Sequence, residues 1–100
     1  MHTMFRMTMP VEKGNAAVLD GSLAKAIEDL TKLMQPEAVY FTALHGKRTG
    51  LFFFEMKDVT QIPQIAEIAF HVLNAEVEFV PVMNPAELQK GLQSAMSGKP

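Results

Sequence analysis

The stretch AVYFTALHGKRTGLFFFEM, residues 38–56, decides the fold. Ala38–Leu44 and Leu51–Met56 are rich in β-branched and aromatic residues. They flank His45-Gly46-Lys47-Arg48-Thr49-Gly50, a short polar segment bounded by glycines. Two such runs around such a loop read as a β-hairpin. Lys47 and Arg48 then read as solvated cations of the loop. Gly46 to Gly50 lacks P-loop spacing, and no helix follows it.

Upstream, Thr3–Met9 reads as a strand that stops at Pro10. Gly14-Asn15 offers a turn and a helix N-cap. Apolar residues then recur at Leu19, Leu23, Ala26/Ile27, Leu30 and Leu33/Met34, a single helical stripe. Gly21 weakens this helix by ~1 kcal/mol relative to Ala and marks a bend, or the start shifts to Asp20 or Ser22. Pro36 ends it. Downstream, Asp58 or Thr60 caps a second helix with Pro63 in its first turn. Its stripe is Ile62, Ile65/Ala66, Ala69 and Leu73, and it ends at Asn74. Ala75–Val82 is a fourth strand. Asn84-Pro85 starts a third helix, Pro85–Met96, with Leu88, Leu92 and Ala95/Met96 on one face. The predicted order is β-α-β-β-α-β plus a C-terminal helix. This is the ferredoxin-like split βαβ plan, α+β, with antiparallel strand order 4-1-3-2. It occupies residues 1–100 as a single domain, with 97–100 frayed.

Composition narrows the function. One hundred residues hold one core, which excludes a multidomain enzyme. Eleven acids against nine bases give a net charge of −2, so no electrostatic footprint for nucleic acid or for a membrane surface is present. The chain has no Cys, which removes disulfides, thiolate metal sites and thiol nucleophiles. No apolar run is long enough to span a bilayer. Met1-His2-Thr3-Met4-Phe5-Arg6 lacks a basic segment followed by an apolar one, so no secretory signal and a cytoplasmic location are expected.

Right-handed crossovers place both helices on one sheet face. One strand parity holds Phe5, Met7, Met9, Val39, Phe41, Ala43, Phe52, Phe54, Met56, Val77 and Phe79, and is assigned to the helix side. The other holds Met4, Arg6, Thr8, Tyr40, Thr42, Leu44, Leu51, Phe53, Glu55, Glu76, Glu78, Val80 and Val82. That mixture is too apolar for a solvated face and too charged for a core. It suits a face covered by a second subunit with a wet or ligand-bearing interior. A homodimer is therefore expected.

Met4-Phe5-Arg6-Met7 on the first strand, Gly50-Leu51-Phe52-Phe53-Phe54-Glu55-Met56-Lys57-Asp58 leading into the second helix, and Glu76-Val77-Glu78-Phe79-Val80-Pro81-Val82 on the last strand carry a resemblance. Over roughly residues 3–96 the chain resembles the dimeric α+β barrel superfamily, nearest its uncharacterised bacterial members. The superfamily includes muconolactone-isomerase-like proteins, cofactor-free monooxygenases and stress-response proteins. The resemblance implies sheet-to-sheet pairing, no cofactor, and a ligand held between sheet and helices or in the barrel.

The ligand-binding candidates are Arg6, Tyr40, Phe53, Glu55, Glu76 and Glu78. In strand order 4-1-3-2, Arg6 would stand between Glu55 on one side and a glutamate of the fourth strand on the other. An arginine flanked by carboxylates binds an acid group or positions a general base. The ordinary account of the same pattern is an interfacial ion-pair network that fixes dimer register. Three functions follow: a small-molecule-binding dimer, a cofactor-independent isomerase or monooxygenase with Arg6, Tyr40 and the glutamates around its substrate, or a purely structural module. His2, His45 and His71 are scattered, so no metal site is expected. Ser22, Ser94 and Ser97 lack the surroundings of a seryl nucleophile. Phe53 invites an RNA-recognition reading, which Glu55, Glu76 and Glu78 on the same face oppose. Eight Met residues read as adaptable packing.

Overall fold

A computed structural model describes residues 1–98. The elements are β1 (His2–Thr8), α1 (Val11–Asp20), α2 (Ser22–Met34), β2 (Ala38–Leu44), β3 (Lys47–Glu55), α3 (Gln61–Leu73), β4 (Glu76–Pro81) and α4 (Pro85–Met96). The four strands form one antiparallel sheet in the order β2-β3-β1-β4, which is the ferredoxin-like 4-1-3-2. The expected fraying at 97–100 falls partly outside the described residues. Ser97 and Gly98 close α4 by donating their N–H groups to Gln93 O and Ala95 O.

The core is built on the helix side of the sheet. Phe5, Met7, Met9, Phe52 and Phe54 are buried there against Ala17, Ala26, Leu30, Met34, Ile65, Ala69 and Leu73 of the helices. Phe5 sits on the central strand, opposite Phe52 on one neighbour and Phe79 on the other. Its ring centroid lies 5.6 Å from Phe52 and 4.9 Å from Phe79. Burying each such large side chain contributes about 1.5–3 kcal/mol.

The first crossover departs from the expected single helix. It is two helices split at Gly21, whose φ of 84° is left-handed. The turn rotates α1 relative to α2, so Leu19 leaves the stripe and stands 87% exposed. Ala17 and Gly14 are the buried residues of α1. The helix also starts earlier than Gly14-Asn15. Pro10 ends β1 with extended backbone, and its carbonyl accepts from Gly14 N–H at 2.8 Å. Gly14 is therefore a helical residue, and Asn15 caps nothing.

The hairpin loop is shorter than expected. His45 (φ 54°) and Gly46 (φ 75°) alone make the turn. Two successive positive-φ residues give the tight connection whose twist matches the strands. Lys47 to Gly50 consequently belong to β3. Lys47 falls on the open face. Arg48 falls on the helix side, where its Nη1 donates to Asn15 Oδ1 at 3.0 Å.

Besides the sheet face away from the helices, β2 and α4 are uncovered. β2 is an edge strand on which Tyr40, Phe41, Thr42, Ala43 and Leu44 are all exposed. α4 opens with a full capping box, Asn84 Oδ1 accepting from Glu87 N–H and Glu87 Oε1 from Asn84 N–H. Yet α4 buries no residue. It projects from the domain and stretches the molecule to 55 Å in its longest dimension. No helix among the described residues is long and apolar enough to cross a membrane.

Candidate functional site

The face of the sheet away from the helices is laid out in transverse rungs, because strand pairing is in register across all four strands. Tyr40, Leu51, Arg6 and Glu78 form one rung. Ala38, Phe53, Met4 and Val80 form the next, and Thr42, Thr49, Thr8 and Glu76 lie on the other side. Side chains two residues apart on a strand share a face, so these twelve make one surface.

Arg6 stands at its centre, on the inner strand β1. Its Nε donates to Glu78 Oε1 at 2.7 Å, and its Nη2 reaches the same oxygen. Such charge-assisted bonds hold the guanidinium in one place. Arg6 is 35% and Glu78 52% exposed, so the pair contributes at most about 1 kcal/mol while water reaches it. Beside it, Tyr40 and Phe53 meet edge to face, with centroids 6.3 Å apart at 73°.

The structure thus gathers Arg6, Glu78, Tyr40 and Phe53 in one patch, with Glu76 one rung away. Glu55 does not join them. It faces His2 rather than Arg6, whose partner on β3 is Leu51. The expectation of a glutamate on either side of Arg6 therefore holds only on β4. Placing Glu55 opposite Arg6 assumed a register four residues removed from the actual one. The Glu55 carboxylate instead accepts from the Met1 ammonium and lies 3.4 Å from His2 Nδ1. The hydrogen bond from that ammonium holds Glu55 below the usual carboxylate range.

Two open clefts flank the patch. One, of about 320 Å³, is lined by Arg6, Thr8, Lys47, Glu76 and Glu78 near the hairpin turn. The other, of about 340 Å³, is lined by His2, Phe53, Val82, Met83 and Asn84 at the root of α4. Both volumes suit a small organic molecule. Lys47 joins this face because the turn takes two residues rather than six and Lys47 opens β3. The alternation of Lys47, Thr49, Leu51 and Phe53 is the signal that would have placed it on this face. With two cations and two carboxylates, the first cleft is balanced in charge. Among the described residues no group of three His, Asp or Glu side chains is gathered to hold a metal ion. Comparison with known proteins adds no relative: no protein-family model and no curated protein matches the chain.

Proposed function

We propose that the chain belongs with the dimeric α+β barrels, pairs sheet to sheet with a second copy, and binds a small organic molecule in the space so enclosed. One observation carries this reading. The Arg6–Glu78 ion pair stands in the middle of an uncovered sheet face that, beside three threonines, Glu76 and Lys47, presents the apolar Met4, Leu51, Phe53 and Val80. Apolar residues of this size on a solvated face are costly, whereas a covered face with one satisfied ion pair is a common interface design. Charge balance in the Arg6–Lys47–Glu76–Glu78 cleft favours a ligand with an apolar body and a neutral or zwitterionic polar end. The glutamates oppose a nucleic-acid backbone.

The test is sedimentation equilibrium at micromolar concentration, followed by native mass spectrometry of the protein as purified. A dimer is expected, with Leu51→Lys shifting it to monomer. Added mass on the dimer, lost in Arg6→Ala, identifies the ligand. A monomer at micromolar concentration, or a dimer unaffected by Leu51→Lys, would overturn the sheet-to-sheet reading.

A further inference from the structure

Apart from its capping box, nothing in the chain holds the α4 helix folded. A helix of 12 residues is marginal in water, and Gly91 in its interior weakens it further. Its stripe of Leu88, Leu92 and Met96 is 47%, 51% and 87% exposed. The accessible surface of the chain, 6596 Å², exceeds the roughly 5,700 Å² of a compact monomer of this mass by about 900 Å². Its radius of gyration is 16.0 Å, against about 13 Å for a compact chain of this length. That surplus is close to the ~800 Å² each partner contributes to a standard interface.

Elsewhere the fold has the opposite defect. The helix side of β2 lacks a cover: Phe41 is 54% exposed and Ala43 is exposed, on the face that is core in every other strand. The half-buried Leu23 and Ile27 of α2 border this strip, and with Met9 and Phe41 they line a groove of about 210 Å³ whose remaining wall is Thr42, Thr49 and Arg48. One helix lacks a surface, and one surface lacks a helix. Within a chain they lie at opposite edges of the sheet, since α4 follows β4. In a sheet-to-sheet dimer they would come to the same edge, from which α4 has to reach round to the helix side of the partner's sheet. A two-fold axis running along the strands between two facing sheets sets β4 of one copy beside β2 of the other.

We propose that α4 is an exchanged arm, packing its Leu88–Leu92–Met96 stripe into the α2–β2 groove of a second copy of this chain, in the manner of an amphipathic helix in an apolar groove. The proposal rests on the sheet-to-sheet pairing, and its test separates the two.

Because the chain lacks Cys, a full-length variant carrying Ala43→Cys and Leu92→Cys has only those two thiols. It is treated with a short bis-maleimide and run on a denaturing gel, alongside each single variant and sedimentation of the same sample. The expected result is a dimer in solution and a covalent dimer on the gel from the double variant alone. A dimer without the cross-link removes the arm and leaves the sheet pairing standing. A monomer in solution removes both, and an intramolecular cross-link shows α4 folded on its own sheet and removes the arm. As a second reading, Leu88→Asp with Leu92→Asp should raise the dimer dissociation constant about 100-fold. Its circular dichroism should still show a folded domain, because α4 contributes nothing to the core. A dimer as tight as the parent's would overturn the exchange.

Discussion

Arg48 lies across Gly14: a Cβ added at Gly14 would stand 2.8 Å from the guanidinium Nη1 that donates to Asn15. The contact joins β3 to the first turns of α1 and explains why a glycine occupies a helical position. Alanine at residue 14 gains about 1 kcal/mol of helix propensity but must push the guanidinium off Asn15. Gly14→Ala is therefore expected to be near neutral in the parent and stabilising by about 1 kcal/mol in an Arg48→Ala background. Urea unfolding of the parent and the three variants measures both. Equal effects in the two backgrounds would show that the arginine does not dictate the glycine.

Arg6 and Glu78 should couple in proportion to how well they are covered. While solvated, their double-mutant cycle should give about 0.5–1 kcal/mol. Within a dimer, removal of either partner leaves a charge uncompensated, and single substitutions should cost toward ~3–5 kcal/mol, less any water retained. Thermal unfolding of Arg6→Ala, Glu78→Gln and the double variant, repeated over a hundredfold range of concentration, reads both regimes. Lys47→Ala, which breaks no ion pair among the described residues, should lower the melting temperature less than Arg6→Ala. A coupling below 0.5 kcal/mol at every concentration would leave the pair without a structural role.

Gly50 is the narrow point of the sheet on its helix side. It pairs with Phe41 on β2 and Met7 on β1, and a Cβ there would meet Phe41 Cε1 and Phe52 Cε1 at 3.2 Å and Met7 Cε at 3.4 Å. Phe52 and Met7 are fully buried and have nowhere to retreat. Gly50→Ala should destabilise by about 1–3 kcal/mol, the usual cost of overpacking. Chemical denaturation measures it, and a stabilised variant would mean the rings move freely.

Acid should weaken the start of α3 through Asp58. The backbone N–H of Thr60, at 2.8 Å, and then its hydroxyl, at 2.7 Å, donate to Asp58 Oδ1 and hold its carboxyl below the usual range. A carboxylate depressed by folding contributes stability fully above its unfolded value of about 3.9, and loses it as pH falls through the lower folded value. The melting temperature should therefore drop on acidification below about pH 4. Asp58→Asn should melt lower at neutral pH and show a shallower acid slope. Parallel profiles for the two proteins would remove Asp58 from the acid response.

The hairpin, the second crossover and the last strand were legible in the sequence because periodicity and punctuation agree there: Asn84-Pro85 starts α4, and Asn74 ends α3 with a left-handed backbone. Strand parity also sorted the core on β1 and β3, while Phe41 and Ala43, on the same parity in β2, stay exposed. What escaped depends on contacts distant in sequence. Gly14 looks like a turn residue until Arg48 is seen lying over it. Leu19 continues a helical stripe on paper, and one left-handed residue at Gly21 turns it to solvent. Within the candidate site, Arg6 facing a glutamate of the fourth strand was readable from strand order, and the pairing selects Glu78. The offset of Glu55 was not, because β1 and β3 are separated in sequence by α1, α2 and β2, so no turn between them fixes their register, which follows instead from pairings such as Phe5 with Phe52.

The bare edge strand β2 carries a further consequence. Its seven residues, AVYFTAL, contain no charge, no proline and no glycine, and one row of their backbone N–H and C=O groups has no strand beside it. Proteins ordinarily guard such an edge with a lysine, a proline or a bulge, because it offers a template on which another extended chain can add by hydrogen bonding. This chain has none of those guards within the strand. If α4 of a second copy packs over β2 as proposed above, dilution or a charge placed in α4 should uncover that edge and favour cross-β aggregation.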